Sequence, residues 1–157
     1  MSSGVIILIC LLLSAFFSGM EIAFVSANKL KVELDKQSGR TYSRLLEGVL
    51  QSPAKFIATM LVGNNIALVV YGVMMAKLLE PTIEQYTQSS FLVLLIQTII
   101  STLIILVTAE FLPKAFFRIN PNQFLKVFAF PLFLFYYLLW PIVRITIFMS
   151  KIGLQLI

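Results

Sequence analysis

Two acidic residues lie inside long apolar runs of this sequence, where charge is rare. Glu21 falls in a run from Val5 to Val25, and Glu110 falls in a run from Phe91 to Leu112. The remaining acidic residues lie in the segments that connect the apolar runs. An ionisable group at membrane depth is costly, so it usually faces the interior of a helix bundle and marks an ion or substrate pathway. The two carboxylates therefore predict a membrane domain that handles a cation.

The composition excludes an ordinary soluble domain, since 59% of the residues are hydrophobic, 12% are charged and the mean hydropathy is +0.96. The net charge of +5 does not predict nucleic-acid binding, because the basic residues lie beside apolar runs, as topology signals do. The chain has no histidine and one cysteine, Cys10, which excludes a disulfide within the chain and a cysteine metal cluster. The acidic residues form no recognisable catalytic motif, so we do not expect an enzyme.

The apolar runs predict an all-α membrane protein with a single domain over residues 1–157. Three runs, at 5–27, 56–79 and 91–112, are long enough to cross the hydrocarbon core as helices at about 1.5 Å per residue. No Lys or Arg precedes Gly4, so the first run is interpreted as a retained helix and not a cleaved signal peptide.

A fourth apolar stretch, at 121–150, contains Pro131 and Pro141, which kink or break a helix. We predict a proline-kinked juxtamembrane helix along the cytoplasmic interface, where its many aromatic side chains would form an interfacial belt. A fourth membrane crossing is the alternative.

The basic residues predict the orientation of the domain. The segment at 29–52 carries five of them, and its leucines recur at helical intervals around Ser38-Gly39, which favours two short amphipathic helices in a hairpin. The loop from Glu80 to Ser90 has no Lys or Arg. By the positive-inside rule the hairpin and the C-terminus are cytoplasmic, and the N-terminus lies outside.

Each of the three predicted spans carries polar residues in its cytoplasmic half. In the first, Ser14, Ser18 and Glu21 are spaced by four and three residues, so they share one helix face. The alternative for the serines is a hydrogen bond to a carbonyl one turn earlier in the same helix.

The second span contains Gly63-Asn64-Asn65. An asparagine side chain in hydrocarbon needs hydrogen-bond partners. Adjacent residues on a helix project about 100° apart, so the two amides cannot both bond to the same neighbouring helix. Gly63 permits local unwinding and an exposed carbonyl. These features favour a ligand site, and a hydrogen-bonded clamp between helices is the alternative.

The third span ends in Glu110, Pro113 and Lys114. Pro113 has no N–H for the carbonyl of Ala109, so we expect a helix break and a free oxygen beside the acid. The alternative is a simple ion pair between Glu110 and Lys114, four residues apart. Counted from the cytoplasmic ends, the polar groups of all three spans lie roughly 5–12 Å deep, so we expect them to converge.

The available ligands are carboxylate, amide, hydroxyl and carbonyl oxygens, which suit Mg²⁺, Ca²⁺ or Na⁺. Two carboxylates favour a divalent ion. The candidate metal-binding residues are Ser14, Ser18, Glu21, Gly63, Asn64, Asn65 and Glu110, with Pro113 as the helix break and Lys114 in support.

Three motifs in this order resemble the membrane domain of the CorC/CNNM (cyclin M) magnesium transporters. They are Leu13-Ser14 with Phe17-Ser18-Gly19-Met20-Glu21-Ile22-Ala23, then Leu61-Val62-Gly63-Asn64-Asn65-Ile66-Ala67, then Glu110-Phe111-Leu112-Pro113-Lys114. The resemblance implies a homodimer in the lipid bilayer of a cell membrane, here the bacterial inner membrane. It also implies that a dehydrated Mg²⁺ sits in an inward-facing acidic cavity and is exported by alternating access, coupled to Na⁺ entry.

Carried over residue by residue, the resemblance assigns the ion site to Ser14, Ser18, Gly63, Asn64, Asn65 and Glu110. Glu21 holds the acidic position of the first motif. Ala109 departs from the family, which usually has glycine before the acid, and this puts a carbonyl ligand there in doubt.

The resemblance also implies soluble CBS modules and a further soluble domain, with ATP binding confined to the CBS modules. The sequence ends at Ile157, so we expect it to be the membrane part of a longer protein. A membrane scaffold that senses Mg²⁺ without transporting it is the alternative function.

Overall fold

The computed structural model describes residues 2–28 and 52–155. Within these ranges every regular element is helical, so the predicted all-α class is confirmed. The predicted hairpin at 29–52 lies outside the described residues, apart from Ser52.

Six α-helices and one π-helical segment make up the described part of the chain. They are α1 (Ser3–Ser26), α2 (Pro53–Ile83), α3 (Ser90–Ile105), the π segment (Leu106–Phe111), α4 (Leu112–Ile119), α5 (Pro121–Val127) and α6 (Ala129–Gln155). The third predicted span does not end at Leu112, because α3 continues through the π segment into α4.

Prolines set several of these boundaries. Pro53 and Pro121 begin α2 and α5, where a missing N–H costs nothing because the first turn has no internal acceptor for it. Pro131 cannot donate to the carbonyl of Val127, and α5 ends at that residue. The stretch predicted as one kinked helix is therefore two helices, α5 and α6, with Pro141 inside the second.

Four helical segments are long and apolar enough to be candidate membrane spans, one more than the three predicted. They are Ser3–Ser26, Pro53–Ile83, Ser90–Ile119 and Ala129–Met149. The prediction gave too much weight to Pro141 as an interruption, because the helix continues through it and provides 21 residues of sufficient hydropathy.

Helix α1 is the centre of the bundle. It packs along α2 and also contacts the π segment, α4 and α5. Small buried residues, among them Ser14 and Ser18 on α1 and Gly63 and Ala67 on α2, allow close packing of these helices. Close packing of small residues is the usual way in which helices associate in lipid, where hydrophobic burial between helices provides no driving force.

The predicted aromatic belt is in part a core. Phe124 stacks on Phe117 with ring centroids 4.2 Å apart, and Phe135 meets the edge of Phe17 at 5.1 Å. Trp140, by contrast, is exposed. The inward rings join α5 and α6 to α1 and α4, since large apolar surfaces gain most from mutual contact.

Helix α3 is exposed along almost its whole apolar length. The hydroxyl of Tyr71, which is fully buried, donates to the carbonyl of Ser101 at 3.2 Å and joins α2 to α3. Thr98 satisfies its hydroxyl within the helix by donating to the carbonyl of Leu94 at 2.7 Å.

Candidate ion site

A hydrogen bond between side chains joins the polar faces of α1 and α2. The hydroxyl of Ser14 donates to Oδ1 of Asn64 at 2.5 Å, across 50 residues of sequence. Ser14 is fully buried and Asn64 is half-buried. The structure thus brings together two of the predicted site residues and holds two oxygen atoms side by side between the helices.

Ser18, one turn further along α1, is 2% exposed, and its Oγ has no hydrogen-bond partner within the described residues. Threonines in the same protein behave differently: Thr59 and Thr108 donate to the carbonyls four residues earlier at 2.7 and 2.6 Å. A buried polar group without a partner is rare in a native fold and calls for an explanation. The bond from serine to its own helix, the alternative raised from the sequence, is found at neither Ser14 nor Ser18.

Two glycines near this site allow phenylalanine rings to pack closely against the helices. A Cβ built on Gly63 would lie 2.5 Å from Cζ of Phe17, and one built on Gly19 would lie 2.7 Å from Cδ2 of Phe117. Real Cβ atoms do not approach so closely, so an alanine at either position would force the ring or the helices to shift. Gly63 therefore has a packing role beside the ligand role predicted for it: it lets α1 and α2 approach at Asn64.

Glu110 lies in the π segment, whose wider turn differs from the simple helix break predicted at Pro113. The N–H of Leu112 donates to the carbonyl of Val107, five residues back, which is the π pattern. The segment contacts α1, and Ala109 is fully buried. Short π segments occur often at functional sites because they shift the positions of the side chains that follow.

The carboxylate of Glu110 is 33% exposed, and its Oε2 lies 3.8 Å from Nζ of Lys114. The ion pair that the sequence offered as an alternative is therefore present. Glu21 is half-buried on α1, whereas Asn65 is exposed and so lies on a different side of α2 from Asn64. Within residues 2–28 and 52–155, no three acidic, histidine or cysteine side chains lie close enough to hold a metal ion together.

The sequence did not predict that the rings of Phe17 and Phe117 pack against Gly63 and Gly19 beside the site. It did not predict the π segment either. The phenylalanines fall beside the serine-glycine motif and after the acid motif, but nothing local predicts which glycine each ring will meet. Pro113 did carry a signal for the π segment. A proline in an apolar run that no turn residue follows indicates a helix whose hydrogen-bond pattern changes locally and which then continues.

The chain matches the model of one protein family, described as the cyclin M transmembrane N-terminal domain, over residues 5–157. The chain belongs to this family. The match confirms the resemblance drawn from the three motifs, and with the four apolar helices it makes the chain a multi-pass membrane domain. The Ser14–Asn64 pair, Ser18 and Glu110 are thus residues of a cyclin M domain.

Curated relatives of this cyclin M domain are bacterial UPF0053 proteins. The chain is 24% identical to one from Mycoplasma genitalium over 149 residues, which are 90% of the chain and 34% of that protein. It is 29% identical to one from Mycoplasma pneumoniae over 147 residues, 91% of the chain and 33% of that protein. It is 34% identical to one from Haemophilus influenzae over 62 residues, 40% of the chain and 15% of that protein. The chain spans about a third of the length of the first two.

Proposed function

We propose that this cyclin M domain transports Mg²⁺ across the membrane, as export by alternating access of an inward-facing site, coupled to Na⁺ entry. The observation that carries the proposal is the Ser14–Asn64 hydrogen bond beside the buried, unpartnered Oγ of Ser18. These groups are hard oxygen ligands held between two apolar helices. Their chemistry suits Mg²⁺ or Na⁺ better than a transition metal.

The geometry of the pair is compatible with Mg²⁺. Two neighbouring ligands of an octahedral Mg²⁺ lie about 3.0 Å apart, because each Mg–O distance is about 2.1 Å and the angle between them is about 90°. The 2.5 Å between the oxygens of Ser14 and Asn64 approaches that separation, so a small outward movement would open the pair around the ion. Without the ion, the hydrogen bond keeps the amide oxygen oriented toward α1.

Glu110 supplies negative charge in this proposal, and Lys114 regulates its availability. The ion pair at 3.8 Å balances the carboxylate when the site is empty, and Mg²⁺ replaces the ammonium when it binds. The packing of the π segment against α1 supports this role, because it holds Glu110 on an element in contact with the serine face. Glu21 remains a proposed ligand of the same ion. Asn65 lies on a different side of α2 and the Gly63 carbonyl lies within this unbroken helix, so α2 would have to rotate or unwind for either group to reach the ion.

The proposed orientation has the N-terminus outside and the hairpin and C-terminus in the cytoplasm of a bacterial cell. This orientation requires that three of the four candidate helices cross the membrane and that α6 lies along the cytoplasmic interface. Lys55 in the first turn of α2 and Arg144 on α6 line one groove, which supports a common side for the start of α2 and the later part of α6. Basic residues concentrate on the cytoplasmic side. A homodimer belongs to the proposal, and the exposed apolar length of α3 is a surface that a second copy could cover.

Isothermal titration of the purified chain with Mg²⁺ tests the site. We expect Asn64→Ala, Ser18→Ala and Glu110→Gln each to weaken binding about 10- to 100-fold or more, as changes around bound metals commonly do. Thr98→Val is the matched control, because it removes a hydroxyl that bonds only within α3. Unchanged Mg²⁺ affinity in Asn64→Ala and Ser18→Ala would contradict the proposal.

A flux measurement separates transport from the alternative, a scaffold that senses Mg²⁺. Liposomes containing the chain and a trapped Mg²⁺ indicator should report flux that depends on Asn64. Binding that depends on Asn64 without any flux would favour the scaffold.

A further inference from the structure

A groove of about 390 Å³ opens between the first turns of α2 and the later part of α6. Its polar lining comes from Lys55, Thr59, Tyr136 and Arg144. Its apolar lining is Trp140, Val143, Ile147 and Phe148. Cations on one side and a hydrocarbon wall on the other give the groove an amphipathic character.

Among the described residues, the lining of the groove has two positive charges and no acidic side chain. Lys55 and Arg144 are both exposed, and neither forms an ion pair with a carboxylate within the described residues. The guanidinium of Arg144 lies 5.2 Å from the centroid of the Trp140 ring, which fixes it beside the opening. Two cations held in one cleft of a membrane domain attract an anion.

The polar groups that remain available are donors. The Thr59 hydroxyl already donates to the carbonyl of Lys55 at 2.7 Å, so the ammonium, the guanidinium and the Tyr136 hydroxyl are the groups that can face a ligand. This set matches the oxygens of a phosphodiester. A free anion would leave the hydrocarbon wall uncovered, whereas the chain of a lipid would cover Ile147 and Phe148.

We propose that this groove binds the phosphate of an anionic phospholipid, with the acyl chain against the wall that α6 provides. Basic pockets between membrane helices recognise such headgroups by charge. The groove shares no residue with the Ser14–Asn64 ion site, so the proposal stands apart from Mg²⁺ transport.

Trp140 reports on the groove directly, because it is the single tryptophan of the chain. The chain is reconstituted in phosphatidylcholine vesicles that contain one tenth dibrominated lipid, either phosphatidylglycerol or phosphatidylcholine, and quenching of Trp140 is compared. We expect the brominated phosphatidylglycerol to quench several-fold more, since each cation near the surface gives about a fivefold preference for anionic lipid. Equal quenching by the two lipids would overturn the proposal.

Lys55→Gln and Arg144→Gln should each lower this lipid preference about fivefold. Arg118→Gln, which changes an exposed arginine in the last turn of α4 that does not line the groove, should leave it unchanged. Equal loss in Arg118→Gln would indicate general surface charge and would contradict a specific groove. Inorganic phosphate distinguishes the two sources of the ligand group. Millimolar phosphate that fails to abolish the preference supports a lipid, and phosphate that abolishes it overturns the lipid assignment.

Discussion

Replacement of Gly63 by alanine tests how α1 and α2 are held together at the proposed ion site. The added methyl group would lie 2.5–2.8 Å from three atoms of the Phe17 ring. That ring is 3% exposed, and Phe16 and Phe135 contact it with centroids at 5.3 and 5.1 Å. The ring is therefore confined, and the helices must separate to admit the methyl group.

The expected cost follows from comparison with Gly72→Ala in the same helix. A Cβ on Gly72 meets nothing within 4 Å, so that substitution changes only helix propensity, by about 1 kcal/mol in favour of alanine. Gly63→Ala gains the same propensity but overpacks the interface, which typically costs about 1–3 kcal/mol. The free energies of unfolding of the two variants should therefore differ by about 1–3 kcal/mol, with Gly63→Ala the less stable.

Unfolding in mixed micelles with increasing SDS, followed by Trp140 fluorescence, gives both free energies. Phe17→Leu should reduce the penalty, so the double variant with Gly63→Ala should be more stable than the sum of the single changes predicts, by at least about 0.5 kcal/mol. Equal stability of Gly63→Ala and Gly72→Ala would refute the reasoning. Mg²⁺ affinity should fall only in Gly63→Ala, because Asn64 is the next residue.

Two further predictions concern contacts around the site. Tyr71→Phe should lower the free energy of unfolding by about 0.5–1.5 kcal/mol in the same SDS assay, because it removes the hydrogen bond to the Ser101 carbonyl. A change smaller than the error of the method would show that this hydrogen bond does not stabilise the fold. Lys114→Gln should alter the free energy of unfolding by less than about 0.5 kcal/mol, since the pair with Glu110 is partly exposed. It should nevertheless strengthen Mg²⁺ binding about two- to fivefold in calorimetry, because it removes a competing cation. Weaker Mg²⁺ binding would count against the proposed role of Lys114.

The sequence predicts the helical class and the meeting of α1 with α2 because both depend on local patterns. Apolar length specifies a membrane helix. The four- and three-residue spacing of Ser14, Ser18 and Glu21 defines a face, and Asn64 in an apolar run requires a partner. These three rules depend on the local sequence and not on how the distant segments pack.

What the sequence does not predict depends on contacts between distant segments. Pro113 and Pro141 both interrupt the backbone hydrogen-bond pattern, but whether a helix ends, widens or continues there depends on the neighbours that support it. The chain widens into the π segment before Pro113 and continues through Pro141. Likewise, Phe124 and Phe135 pack inward because they meet Phe117 and Phe17 on other helices. The composition of the last apolar stretch does not predict these contacts.

The central claim is that α1, α2 and the π segment supply oxygen ligands to one ion. Anomalous diffraction from crystals of the chain soaked in Mn²⁺, a substitute for Mg²⁺ that can be located by its scattering, tests it most directly. We predict one strong peak about 2.2 Å from oxygens of Ser14 and Asn64, with Ser18 and Glu110 completing the shell. No peak between α1 and α2, or a peak confined to the acidic loop around Glu84, would contradict the account.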